Sequence, residues 1–352
     1  MSEQQQRMTT QQALDVAQQE LSEGKYRKAE HIYQQILQAA PQNALAYHKL
    51  GVIAQKRGKN EIATDLISKA IAINPASFEA HFDLGVVLQE LRKPEDANAS
   101  YQKALRLKHD YVEALNNMGV TLRELGQLDK AVVCYRDAVA VQPDYAAAHS
   151  NLGLALQELG DLEGALNSFY KALDINRNSA EVHYNLGVTL QALVRLPEAI
   201  KSYKDSLAIK PDLAEAHTNL GLALRDSAKF EEAASSYHKA LTLNPNLAEA
   251  RYNLGMLQLL LGNYKDGWEN YRWRWETRPR NCHPSAVSKP IWDGKNLKGQ
   301  TIYVYTEQGL GDTIQFVRYL PLLKQRGCRV VFETPKSLTR LLRHCGIADQ
   351  LI

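Results

Sequence analysis

One period constrains this chain more than any other feature: 34 residues, repeated from near the start to about residue 281. Gly51, Gly85, Gly119, Gly153, Gly187, Gly221 and Gly255 stand in register, each 34 residues after the last. Ala29, Ala63, Ala97, Ala131, Ala165, Ala199 and Ala233 form a second column, which Gly267 continues in the eighth unit. A short period with a small residue in each half and a proline near the end describes a helix-turn-helix unit used repeatedly.

Within each unit the fourth, seventh, eighth and eleventh positions fall on one stripe at helical spacing, so the first helix is expected to bury that face. Glycine and alanine let the two backbones approach closely, and a Tyr or Phe fills the space beyond. One helical pair cannot bury enough surface to offset its conformational entropy, so each unit leans on its neighbours. The expected fold class is all-α, a solenoid rather than a globule.

These residues resemble tetratricopeptide repeats. The fourth unit meets that pattern with Leu115, Met118, Gly119, Ala131, Tyr135, Ala138 and Pro143; the seventh does so with His217, Leu220, Gly221, Ala233, Tyr237, Ala240 and Pro245. The resemblance implies a right-handed superhelix of eight repeats over residues 10–281, with the first and last degenerate. In the first, Ala17 replaces glycine and Glu20 takes a core position; in the last, the second helix reads GNYKDGWENYRWRWETRPR. Pro94 and Pro197 sit at turns into second helices, where the missing N–H costs nothing.

Residues 1–9 are polar and expected to be disordered, and MSEQQQRMTTQQ lacks the apolar core of a secretory signal. No apolar run approaches the roughly 18 residues that span a membrane, so a soluble, cytoplasmic protein is expected. Cys134, Cys282, Cys328 and Cys345 show no close paired spacing, which argues for free thiols over disulfides or zinc. Composition shifts at the end of the array. Trp268, Trp273, Trp275 and Trp292 all lie there, and from Lys265 onward 15 Lys and Arg face 8 Asp and Glu. Trp268, Tyr271 and Trp275 recur at helical spacing and are expected to cap the solenoid rather than to bind nucleic acid.

Residues 282–300 read as a linker, and residues 301–352 change in kind. TIYVYTE and RVVFETP are β-branched and aromatic runs, separated by a glycine turn and the helical pattern TIQFVRYLPLLKQRG. A helix, KSLTRLLRHCG, and ADQLI follow. Alternation of this kind implies a short parallel α/β segment, a partial Rossmann-like sheet, too small to cover both of its faces. Gly309-Leu310-Gly311-Asp312 lies between strand and helix, where backbone N–H groups suit phosphate. Ile314 stands where the dinucleotide fingerprint has its third glycine, and a plain strand-to-helix turn accounts for the same residues. Glu333, closing the second strand, is placed like a ribose-binding carboxylate.

EQGLGDTIQFVRYLPLL, with KPIWDG before it, resembles bacterial proteins in which tetratricopeptide repeats precede a glycosyltransferase-like domain. The turn is similar to the first strand-loop-helix of heptosyltransferases. That resemblance implies Asp312 as a general base on an acceptor hydroxyl, with Gly309 and Gly311 as the sugar or phosphate turn. The half that holds the nucleotide-sugar in such enzymes has no counterpart in these 352 residues, so no catalysis is expected of them alone.

The sixth position of the repeat carries Asn117, Asn151, Asn185, Asn219 and Asn253, preceded by Asp83. It points about 150° from the centre of the core stripe at 100° per residue. Each amide offers a donor and an acceptor, the complement of a peptide bond. The column resembles the repeat domain of protein O-linked N-acetylglucosamine transferases, which implies a concave groove binding extended polypeptide. The same residues also suit a structural role, bonding neighbouring helices. His81, His149, His183 and His217 sit at the fourth position, too far apart to share a metal ion, and read as packing. Two functions remain: an interaction scaffold for an extended protein segment, or the substrate-recruiting part of a glycosyltransferase. Neither calls for a cofactor, a metal, a nucleic acid or a membrane.

Overall fold

Small residues at fixed intervals let helices pack in pairs, and the chain does so from Thr10 onward. The computed structural model describes residues 8–277, 292–307 and 309–352. Most of the expected disordered start and half of the expected linker, with Cys282, lie outside the described residues. The chain divides into two units, Met1–Arg274 and Trp275–Ile352.

In the first unit eight helix pairs follow one another. First helices are α1 (Thr10–Ser22), α3 (Ala44–Lys56), α5 (Phe78–Glu90), α7 (Val112–Glu124), α9 (Ala146–Glu158), α11 (Ala180–Ala192), α13 (Ala214–Asp226) and α15 (Ala248–Leu260). Their partners are α2 (Tyr26–Ala39), α4 (Asn60–Ile73), α6 (Pro94–Leu107), α8 (Leu128–Val141), α10 (Leu162–Ile175), α12 (Leu196–Ile209), α14 (Phe230–Leu243) and α16 (Tyr264–Tyr271). The last is short and passes into a 3-10 turn, Arg272–Trp275, where the repeat pattern fails.

The two columns mark the helix crossings. All seven alanines of the second column are fully buried. Tyr101, Tyr135, Phe169, Tyr203 and Tyr237 each lay a ring against the glycine of the same repeat. At each such crossing the aromatic occupies the volume a glycine Cβ would need.

A third column sits at the fifteenth position, just past each first helix, where the chain takes positive φ. Five repeats place Gly24, Gly58, Gly126, Gly160 and Gly262 there; the others use Arg92, Val194 and Ala228, with φ of 58°, 59° and 58°. After α9, the N–H of Gly160 donates to Gln157 and that of Asp161 to Leu156, the paired bonds of a Schellman motif.

From α3 to α15 consecutive odd-numbered helices touch directly, whereas even-numbered neighbours stay farther apart. Closer spacing on one side of a curved stack marks its inner side, so the first helices line the concave face.

The second unit is a three-stranded parallel sheet in the order β1 (Thr301–Tyr305), β2 (Arg329–Glu333), β3 (Gln350–Leu351). Helices α17 (Leu310–Phe316) and α18 (Leu320–Gln325), joined by a 3-10 turn, connect β1 to β2, and α19 (Lys336–Leu342) connects β2 to β3. Val330 and Phe332 point into a core with Leu320, Leu338 and Leu342, while Tyr303 and Tyr305 alternate to the other face.

Candidate functional site

The sixth-position column runs along the concave face, and all six of its members from Asp83 to Asn253 are partly exposed. Their surroundings alternate from repeat to repeat. Asn151 donates through Nδ2 to Oδ1 of Asn116 at 2.9 Å, and Asn219 donates to the hydroxyl of Tyr184 at 3.0 Å. Asp83 sits 2.6 Å from Nε2 of His48, whose ring is buried. Each of these three reaches the fifth position of the preceding repeat, 35 residues back.

In the intervening repeats the fifth position holds Phe82, Ser150 or Thr218, and no such bond forms. Asn117 accepts from its neighbour Asn116 at 3.2 Å, and its amide also acts on the Tyr101 hydroxyl. Among the described residues, the side chains of Asn185 and Asn253 make no hydrogen bond. Asp83, Asn151 and Asn219 therefore brace adjacent helices, Asn117 is engaged with its neighbours, and Asn185 and Asn253 keep their amides available. Asn151 and Asn219 use one donor each and keep their side-chain oxygens open. The signal was present at the fifth position, whose run His48, Phe82, Asn116, Ser150, Tyr184, Thr218 alternates long polar side chains that reach the next helix with apolar or short ones that do not.

One turn and two turns farther along the same helices lie the ninth and twelfth positions. Gln55 donates to Glu90 at 2.7 Å, and Arg123 pairs with Glu158 at 3.7 Å, again joining successive first helices. Burial and the field of nearby groups act on Tyr184 as well: desolvation first, then the carboxylate of Glu215, push its phenol above the ordinary range, against the donated bond of Asn219.

The histidine column packs as expected and also ties down loops. Nε2 of His81, His149 and His217 donates to the carbonyls of Pro75, Pro143 and Pro211 at 3.0–3.1 Å, and His183 does the same to Arg177. Each bond reaches six residues back, from the fourth position to the loop leading into its own helix. Among the described residues, no group of three or more His, Cys, Asp or Glu is arranged to hold a metal ion. Cys134, Cys328 and Cys345 are free.

In the second unit, Asp312 lies exposed in the first turn of α17. Gly309 is the N-cap, with φ −66° and ψ 172°, a conformation open to any residue. A Cβ on Gly309 would meet only the Asp312 carboxylate, at 3.8 Å, and one on Gly311 would meet nothing within 4 Å. Glu333 accepts a hydrogen bond from the hydroxyl of Tyr303, and this bond, before burial, pushes that phenol up to about 12. The carboxylate likened to a ribose ligand is thus engaged within the sheet.

Family models described as TPR repeat match residues 121–160 and 221–262, and models described as tetratricopeptide repeat match 14–78, 48–112, 100–133 and 144–212. Protein FlbA of Caulobacter vibrioides is 35% identical over 63 residues, a match spanning 18% of this chain and 11% of that protein. Among solved structures, PilF of Pseudomonas aeruginosa is 27% identical with a TM-score of 0.53, over 59% of this chain and 95% of its own. The Cut9 and Hcn1 hetero-tetramer of the APC/C is similar in fold, with a TM-score of 0.56 at 19% identity, over 70% of this chain and 51% of that one. These matches support the repeats and lend no support to a glycosyltransferase domain. By its recurrent glycine, alanine and aromatic crossings and by these matches, the chain belongs to the tetratricopeptide-repeat proteins.

Proposed function

We propose that the array is a protein-interaction scaffold which holds an extended polypeptide segment along the concave face of its first helices. One observation carries this reading: Asn185 and Asn253 keep unpartnered, partly exposed amides on that face, although asparagine is a mediocre helix former that costs several tenths of a kcal/mol against alanine. Asn151, Asn219 and Asp83 hold adjacent helices in register and present their remaining acceptors. Helix pairs stacked about 10 Å apart put the open amides about 20 Å from one another, or about six residues of an extended strand. Amides that bond backbone leave side-chain preference to other groups on the face.

Selection from a random-peptide display library on the immobilised chain tests the proposal. Changing Asn185 and Asn253 to Ala should leave the thermal midpoint unaltered or slightly raised and weaken the selected peptides by about tenfold or more. Asn151→Ala and Asn219→Ala should instead lower stability by about 0.5–1.5 kcal/mol each. Unchanged affinity in this double variant would sink the reading.

A second reading concerns residues 301–352, as the start of a glycosyltransferase-like domain with Asp312 near an acceptor. Its support is that neither backbone angle nor available space requires glycine at 309 or 311, so close approach of a ligand accounts for both. Calorimetric titration with sugar phosphates as acceptors should then give heat that Gly311→Val abolishes without unfolding the sheet; no heat with any of them removes this reading.

A further inference from the structure

Charge is distributed unevenly between the two sets of helices. From α5 to α15 the first helices carry ten carboxylates and three arginines, whereas the second helices from α4 to α14 carry twelve carboxylates and nine Lys or Arg. All three arginines of the first set are engaged. Arg123 pairs with Glu158, Arg225 with Asp226 at 2.8 Å, and Arg251 donates to the Pro245 carbonyl beneath the Trp273 ring.

The second position of the repeat, one turn before the asparagine column and on the same face, holds Glu79, Glu113, Glu181, Glu215 and Glu249. All five are exposed. Among the described residues none of them forms an ion pair.

Two of the five border a cavity. A hollow of about 350 Å³ opens between α11 and α13, lined by Glu181, Glu215, Tyr184, Leu213, Lys210 and two alanines. That is the low end of the range of about 300–1,000 Å³ typical of small-ligand sites, a volume suited to one long side chain. Tyr184 supplies an aromatic face, its hydroxyl held by Asn219, and Leu213 supplies apolar wall. Lys210 is the basic member of the lining and, among the described residues, forms no ion pair.

An aromatic face between two carboxylates attracts a cation whose stem is apolar. We infer that this hollow seats a lysine or arginine side chain of the bound segment, and that the partner of the concave face is a basic extended polypeptide. This rests on the reading of that face as a peptide groove. The row of unpaired glutamates extends the same preference along the neighbouring repeats, steering a positively charged strand onto the amides.

Fluorescence anisotropy on the full chain decides the matter with three labelled peptides of about 15 residues, long enough to span about five repeats. They are built from Ser, Val and Gln and carry Arg, Gln or Glu at every third position. At low ionic strength the Arg peptide should bind about tenfold more tightly than the Gln peptide, with the Glu peptide weakest and the preference shrinking in salt. The double variant Glu181→Gln, Glu215→Gln, checked by circular dichroism, should cut that preference to about threefold or less and leave the Gln peptide's affinity as it was. Equal binding of the Arg and Gln peptides by the unaltered chain, or full preference retained by the double variant, overturns the inference and leaves the groove reading standing. Failure of all three peptides to bind overturns both.

Discussion

Gly187 and Tyr203 share a space that has no room for another carbon: a Cβ on Gly187 would stand 2.6 Å from Cε1 and 2.7 Å from Cδ1 of the ring. The ring is fully buried and cannot swing aside. In a free helix, glycine to alanine would be favourable by about 1 kcal/mol. Here the overlap wins, because inserting a methyl group into a packed core costs about 1–3 kcal/mol. Gly187→Ala is therefore expected to lower the urea midpoint, as checked by circular dichroism, and to couple non-additively with substitution of Tyr203.

The phenols of the aromatic column differ in a way that sorts their phenylalanine variants. Tyr101 and Tyr203 donate to Gln89 and Gln191 at 3.1 and 2.8 Å, whereas the buried hydroxyls of Tyr135 and Tyr237 have no partner among the described residues. In those two repeats the glutamine position is taken by Arg123 and Arg225, which turn to acidic residues instead. Tyr203→Phe should cost about 0.5–1.5 kcal/mol for the lost bond, while Tyr237→Phe should be neutral or stabilising because it removes an unpaired polar atom. Denaturant titrations of the two variants side by side give the comparison. A greater loss in Tyr237→Phe would contradict it.

Val194 is 76% exposed and held at φ 59°, a conformation that penalises a β-branched residue by about 1–2 kcal/mol. Its side chain packs on little, so nothing is lost by removing it. Val194→Gly should raise stability by about 1 kcal/mol, and the converse Gly160→Val should lower it by a similar amount. Thermal melts of both variants test the pair.

Alkali should unfold the array. Burial pushes the phenols of Tyr101, Tyr135, Tyr203 and Tyr237 well above their ordinary value and that of Tyr33 up to about 12. Below the unfolded value of about 10 both states are protonated and nothing changes. Above it the unfolded chain releases protons that the folded chain retains, so the stability present at neutral pH falls as pH rises through the folded values. Loss of helical circular dichroism should coincide with phenolate absorbance above about pH 10. Phenolate appearing while the helices persist would show that the rings are reached without unfolding.

Much of this architecture can be read along one dimension. The 34-residue period, the glycine and alanine crossings and the aromatic between them follow from sequence, because a repeat contacts only its neighbours and local spacing sets those contacts. The turn column at the fifteenth position was also written there, but Arg92, Val194 and Ala228 interrupt it and hide a backbone requirement behind ordinary side chains. What spacing could not reveal was the role of each amide. Asn151 and Asn185 occupy identical places in their repeats, and the first is tied to Asn116 while the second is open, because the distinction lies 35 residues away on an adjoining helix. The same holds for the hollow beside Tyr184, whose glutamates come from two repeats. A residue's place within its own helix follows from the period; what faces it across the gap depends on how two helices are phased, and that is set by packing in three dimensions.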